Sequence, residues 1–267
     1  MDLGLAGATA VVTGGSKGMG LAVAQAFATD GAKVAVMARG REALDAAVAS
    51  LWQAGAADAL GIAVDMADAQ SIADGFAAVG ERWGQLNSLV HTVGPGDGYF
   101  ESMSDDDWRA AFDLGTMAGV RSIRAALPLL RSADWARVVT FAAHSIQRQN
   151  PRIVAYTASK AALASATKNL SKSLGPEGIL VNCVCPGTIV TASFTEALRD
   201  VLEADGLDPA NPRDVMTWIE ANFHQPCDLG RAGLAEEVAS ATVYLASKTN
   251  GYVTGATINV DGGSDFI

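Results

Sequence analysis

Short β-branched runs alternate along this chain with longer, alanine-rich stretches of helical period. "ATAVVT" (8–13), "KVAVMA" (33–38), "ALGIAV" (59–64), "NSLVHTV" (87–93), "RVVTFAA" (137–143), "ILVNCV" (179–184) and "ATINV" (256–260) read as seven strands. Helices are predicted between them, over roughly 19–30, 41–54, 68–83, 104–131, 153–175 and 235–246. Within 41–54, Leu44, Val48, Leu51 and Trp52 fall at i, i+4, i+7 and i+8, the stripe of a helix packed on one side. Ser104, three residues before Asp107, has the form of a capping box at the head of the long 104–131 helix. The acidic run Asp105–Asp106–Asp107 suits that helix's positive end. Strands separated by helices imply a parallel sheet with helices on both faces, a doubly wound α/β fold. "KVAVMA" and "ALGIAV" are apolar throughout, as expected of strands covered on both faces. No repeat, low-complexity tract or linker interrupts the pattern, so one domain is expected over residues 1–267.

Residues 188–230 break the alternation. No strand is predicted there, only two short helices near 194–204 and 212–223, joined by the turn-forming "GLDPANP". Val215, Trp218, Ile219 and Phe223 stand at i, i+3, i+4 and i+8 and make one apolar face. Loops beyond the carboxyl ends of parallel strands line the binding crevice of such sheets. The segment therefore reads as a substrate lid, with a packing or oligomer element as the alternative. Its Phe194, Met216, Trp218 and Phe223 point to a rather apolar substrate.

Composition narrows the class. Of 267 residues, 49% are hydrophobic and 18% charged, enough apolar material for a sizeable core. The net charge of −10 disfavours nucleic acid and anionic membrane as partners, because both bind through basic patches. No apolar run reaches the ~20 residues that span a bilayer. The first residues lack the basic region of a signal peptide, and the three cysteines, Cys183, Cys185 and Cys227, form no disulfide framework. A cytoplasmic location is expected. Cys183 and Cys185 share one side of their strand. The histidines at 91, 144 and 224 are scattered, with no metal-ligand spacing, so no metal is expected.

Two motifs carry chemistry. "TGGSKGMG" (13–20) follows the first strand and opens the first helix, with Gly14, Gly18 and Gly20 in the spacing GxxxGxG. Such glycines let the backbone turn tightly and approach a pyrophosphate at the helix N-terminus. Tyr156 and Lys160 stand four apart in a helical stretch and share a face. An ammonium group beside a phenol lowers its pKa from about 10 and makes it a usable proton shuttle. Together "TGGSKGMG", "YTASK" (156–160), "NCVCPG" (182–187) and "YVTGATINVDGG" (252–263) resemble, in order and spacing over essentially the whole chain, the short-chain dehydrogenase/reductases. The resemblance implies a single-domain Rossmann fold, a homotetramer or homodimer, and hydride transfer between NAD(P) and a carbonyl or alcohol.

It also implies site residues. Gly14, Ser16, Lys17, Gly18, Met19 and Gly20 would form the phosphate turn. Asp65 would bond the adenine amino group, with Met66 offering a backbone N–H. Gly94 would let the cofactor lie close. Pro186, Gly187, Ile189 and Thr191 would border the nicotinamide, Thr191 at its carboxamide. Lys160 would hold the nicotinamide ribose, and Tyr156 would exchange a proton with the substrate oxygen. Charge selects the cofactor. The second strand ends in Ala38–Arg39, without the acid that holds the ribose 2′-hydroxyl of NAD. Arg39 and Lys17 favour an extra phosphate, so NADP(H) is expected over NAD(H).

Three family positions differ. His91 replaces the first asparagine of the family's "NNAG" and is expected to be a structural hydrogen-bonding group rather than a catalyst. Thirteen residues before Tyr156, Ala143 stands in place of the family serine. Thirteen before Pro128, Gly115 stands in place of the family asparagine. The Ser145 hydroxyl is expected to substitute for the serine, with a ring N–H of His144 as one alternative and, as the other, both residues doing no more than cap the strand end. Gly115 either keeps a kink and frees a carbonyl for a relay water or, with Gly119, lets helices approach closely. The expected activity is NADP(H)-dependent interconversion of a carbonyl and a secondary alcohol on an apolar small molecule. Reduction of an activated C=C or C=N bond is an alternative, as is a cofactor-binding protein with little catalysis. Retention of Tyr156 and Lys160 opposes the last.

Overall fold

The structure, a computed structural model, describes residues 2–96 and 98–264; the expected domain limits, 1 and 267, lie outside them. In chain order its elements are β1 (Thr9–Thr13), α1 (Gly18–Thr29), β2 (Lys33–Ala38), α2 (Arg41–Ala54), β3 (Asp58–Ala63), α3 (Ala69–Trp83) and β4 (Ser88–His91). There follow α4 (Asp105–Phe112), a π-turn (Asp113–Met117), α5 (Ala118–Arg131), β5 (Ala136–Phe141), α6 (Val154–Leu174) and β6 (Ile179–Pro186). The chain continues with β7 (Ile189–Val190), α7 (Ala192–Ala204), α8 (Pro212–Phe223), β8 (Gly233–Leu234), α9 (Ala235–Leu245) and β9 (Thr257–Val260).

Seven strands form one parallel sheet in the order β3-β2-β1-β4-β5-β6-β9. The chain winds outward from β1 to β3 and then back across β4. This reversal opens a crevice at the carboxyl ends of β1 and β4. Side chains on successive strand residues point to opposite faces. Val12, Val34 and Val36 therefore pack with Phe27 of α1, Leu44 and Leu51 of α2 and Val238 of α9. Their neighbours Val11, Ala35 and Met37 pack on the other face with Ile72 and Phe76 of α3 and Ile123 and Leu130 of α5. Burial on both faces accounts for the unbroken apolar runs of β1 and β2. No helix among the described residues is long and apolar enough to cross a membrane.

Three expectations need correction. The 58–63 strand is the outer strand of the sheet, and none of its residues is fully buried, so its apolar run does not mark a doubly covered strand. The segment 188–230 does contain a strand: Ile189–Val190 pairs with Gly233–Leu234 and ties the segment's two ends together. Two residues are too few for periodicity to register. The helix expected over 104–131 is interrupted by the π-turn, in which Gly115 is buried. The Ser104–Asp107 capping box at its head is present as expected. Helices α7 and α8 have a small core of their own, in which Leu202, Val215, Met216 and Ile219 are buried against Val190, Phe194 and Phe223.

Candidate active site

A cleft of about 910 Å³ opens where the sheet order reverses. Gly14, Ser16, Lys17, Gly18, Met19, Gly20, Arg39, Asp65, Met66, Gly94 and Thr191 all line it. The turn after β1 needs its glycines: φ is +75° at Gly14 and +56° at Gly18, and a Cβ on Gly20 would strike the Gly14 carbonyl. Helix α1 begins with Lys17 in extended backbone and no side chain capping it. Its first N–H groups are thus left for an anion, and the helix dipole favours negative charge there. Arg39, just past β2, and Lys17 are both exposed at the rim. Asp65 Oδ1 accepts from the Ala67 N–H at 3.0 Å, which fixes the carboxylate beside the cleft. Thr92, not foreseen from the sequence, donates from Oγ1 to the Thr13 carbonyl at 2.7 Å and closes over Gly14 and Gly20.

A second cavity of about 360 Å³ adjoins the first, sharing Met19, Thr92, Gly94 and Thr191. Tyr156, Lys160, Ser145, Pro186, Gly187 and Ile189 line it. Tyr156 and Lys160 lie one turn apart on α6. Lys160 is buried, and its Nζ donates to the Phe141 carbonyl at 2.7 Å and the Val93 carbonyl at 2.8 Å, at the ends of β5 and β4. Burial draws its pKa down to about 8. Gly94 faces both side chains: a Cβ there would lie 3.3 Å from Lys160 Cε and 3.5 Å from Tyr156 Cε2. Thr191 caps α7, its Oγ1 accepting from the Phe194 N–H at 3.3 Å. The far wall consists of Phe194, Ile219 and Phe223. Of the four apolar residues expected to face a substrate, only Phe194 and Phe223 do so. Met216 is buried in the α7–α8 core, and Trp218 packs edge-on against Phe223 at 5.6 Å. Ile219, Asn150 and Gln225 were missed; the last two sit in irregular segments where no periodicity flags a side chain.

A family model described as enoyl-(acyl carrier protein) reductase matches residues 14–265. The short-chain reductase protein NovJ of Streptomyces niveus is 32% identical over 255 residues, covering 95% of this chain and 92% of that protein. The 3-oxoacyl-[acyl-carrier-protein] reductase FabG of Chlamydia trachomatis is 30% identical over 260 residues, covering 96% of each. The L-sorbose reductase of Gluconobacter frateurii, solved with NADPH and L-sorbose, superposes with a TM-score of 0.91 at 28% identity, over 99% of this chain and 98% of that one. The chain belongs to the short-chain dehydrogenase/reductases.

The structure gives a physical setting to each of the three positions that the sequence reading set apart from the pattern of the short-chain dehydrogenase/reductases. His91 on β4 is fully buried and hydrogen-bonded through Nδ1 to Thr13 Oγ1 of β1 at 2.8 Å, a cross-strand brace. Burial, and then the charge of Lys160, hold its pKa at about 3, so it is neutral at working pH. Gly115 lies against α6: a Cβ there would collide with Ser159 Oγ and come within 2.8 Å of Ser159 Cβ. Beside it Thr116 Oγ1 donates to the Ser159 carbonyl at 2.8 Å. The π-turn breaks the helix at Gly115, and this contact brings α6 close to it. At Ala143 the β5 backbone runs straight into a short turn carrying His144 and Ser145, both buried and both lining the second cavity. Ser145 Oγ accepts from Thr157 Oγ1 at 3.1 Å, leaving its own O–H to donate. His144 Nδ1 lies 3.3 Å from the Pro186 carbonyl, which engages the ring N–H. Cys183 and Cys185 fill the space behind, packed with Ala142 and Ala164.

Proposed function

We propose that the protein is an NADPH-dependent ketone reductase, also able to oxidise the matching secondary alcohol. The observation that carries this reading is the meeting, at Thr92, Gly94 and Thr191, of a cleft of dinucleotide size with a cavity lined by Tyr156 and Lys160. The cleft fits the cofactor on structural grounds: α1 is uncapped, Gly14 and Gly20 leave no room for a Cβ, and two cations stand at the rim. Gly14 to Gly20 would hold the pyrophosphate, Asp65 and Met66 the adenine, Lys17 and Arg39 the 2′-phosphate, and Pro186, Gly187, Ile189 and Thr191 the nicotinamide. The bound cofactor supplies a hydride. Tyr156 holds the proton for the substrate oxygen, and Lys160, positively charged below about pH 8, favours the phenolate left behind. Ser145 donates to the carbonyl in place of the absent family serine, because the ring N–H of His144 is committed to Pro186.

The segment 188–230 serves as the lid. Arg152 stacks over the Phe223 ring at 4.7 Å, and Arg148 Nη2 donates to the His224 carbonyl at 2.9 Å, fastening the end of α8 over the cavity. Phe194, Ile219 and Phe223 make the lid's share of the cavity largely apolar; His144, Ser145 and Asn150, with Gln225 from the lid itself, add polar groups. We further assign a cytoplasmic homotetramer or homodimer, which would cover the exposed Phe100, Phe112 and Met117 near the π-turn and the 99%-exposed Tyr252.

NADPH absorbance with panels of ketones, quinones, enones and imines tests the reading. Consumption with enones or imines alone would transfer it to C=C or C=N reduction, and binding without turnover would make the protein a cofactor binder. Ser145→Ala is expected to lower kcat by about 10²–10³-fold at unchanged NADPH affinity; an unchanged rate removes Ser145 from the chemistry. Lys17→Ala and Arg39→Ala are each expected to shift the ratio of NADPH to NADH dissociation constants by about tenfold toward NADH. Tighter binding of NADH by the unaltered enzyme would overturn the NADP assignment.

A further inference from the structure

The hydroxyl that faces Ser145 behaves unlike its neighbours on the same helix. Four hydroxyl side chains of serine and threonine are buried in α6: Thr157, Ser159, Thr167 and Ser171. A serine or threonine buried in a helix can give its proton back to a carbonyl three or four residues earlier. Ser159 does so to the Tyr156 carbonyl, Thr167 to Leu163 and Ser171 to Lys168, each at 2.8 Å. Thr157 does not. The Ile153 carbonyl, one turn back, accepts its backbone N–H at 2.9 Å. Its Oγ1 instead donates out of the helix, to Ser145 Oγ at 3.1 Å.

That bond limits where the Ser145 proton can go. A hydroxyl has one proton and two lone pairs. With a lone pair of Ser145 engaged by Thr157, its O–H turns away from that side, and no acceptor among the described residues takes the proton. Ser145 is buried and lines the substrate cavity, so the proton is left for a group bound there. A hydroxyl that accepts one hydrogen bond is also polarised into a stronger donor. Thr157 directly follows Tyr156 in the chain. The bond therefore ties the turn carrying Ser145 to the helix carrying Tyr156 and holds the two groups in register.

We propose that Thr157 is a positioning residue for Ser145. It aims the serine proton at the substrate carbonyl, so that two hydroxyls from separate elements together replace the one that Ala143 lacks. This rests on the ketone-reductase reading, with Ser145 as its second donor. Thr157 lines neither cavity and acts only through Ser145.

Thr157→Val removes the hydroxyl at nearly constant shape, and Thr157→Ser keeps it. The single-turnover rate with the ketone that the panel identifies is expected to fall about tenfold in Thr157→Val. It should recover in large part in Thr157→Ser, with the NADPH dissociation constant unchanged in both. The readout that a structural role would not move is the double-variant cycle with Ser145→Ala. Once Ser145 is gone there is no proton to aim, so Thr157→Val should cost nothing further. An equal loss in both backgrounds, or full activity of Thr157→Val, overturns the proposal. Thr157→Ala takes the place of the valine variant if that one does not fold. The underlying reading fails separately. No turnover of any ketone would remove the ketone reductase, no loss in Ser145→Ala would remove the Ser145 donor, and either takes the proposal with it.

Discussion

Replacing Tyr156 by phenylalanine is expected to lower kcat by about 10²–10⁴-fold, the range in which a positioned proton donor contributes. The change removes one oxygen and leaves the ring in place. Lys160 should stay where it is, because its ammonium group is held by the carbonyls of Phe141 and Val93. The NADPH dissociation constant should therefore move little. That split separates chemistry from binding: a variant that lost both would mean that Tyr156 shapes the cleft, and one that lost neither would place the proton elsewhere. Transient kinetics under single-turnover conditions, with the ketone that the panel identifies, would read the chemical step directly.

Acid is expected to unfold the protein partly through His91. The folded ring accepts a proton only near pH 3, whereas an unconstrained histidine does so near 6.5. Between these values the unfolded chain binds the extra proton, so stability falls as pH is lowered through the window. The expected slope is about 1.4 kcal/mol for each pH unit crossed. Other groups titrate there too. Burial holds His144 below its usual value as well, and Arg231 holds Glu237 down to about 2, so its pairing is lost only in stronger acid. The difference between urea-unfolding curves of the unaltered protein and His91→Asn isolates the His91 share. The unaltered protein should lose stability steadily relative to the variant below pH 6.5, and the difference should be flat above it. A difference independent of pH would mean that the ring is charged or solvated in the folded state.

Much of the fold could be read from the sequence because its signals are local and repeated. Glycine at 14, 18 and 20 answers a turn geometry that no other residue satisfies, and the strand before it and the helix after it are each written in several residues. The π-turn at 113–117 could not be read, because one extra residue in a helix leaves apolar spacing almost unchanged on either side. The ladder between 189–190 and 233–234 is too short for any pattern. At the site, the residues carried over from motifs all reach the two cavities. The polar wall was only half visible: Ser145 and His144 follow a recognisable strand end, but Asn150 and Gln225 arrive from irregular chain, and their convergence is a product of the tertiary fold. The lid misled in the opposite sense. The apolar stripe of α8 serves first to pack α7, which takes Met216 away from the cavity, while Trp218 braces Phe223.

The contact between Gly115 and Ser159 has a consequence for the order in which sequence changes can accumulate. Asparagine at 115 would first have to displace Ser159, and overpacking of this kind costs about 1–3 kcal/mol. A change at 159 to a residue without a side chain would have to come earlier, and it brings no catalytic benefit alone. The two positions are therefore epistatic. A side chain at 115 is separated from this chain by a step at 159 that selection for activity would not reward.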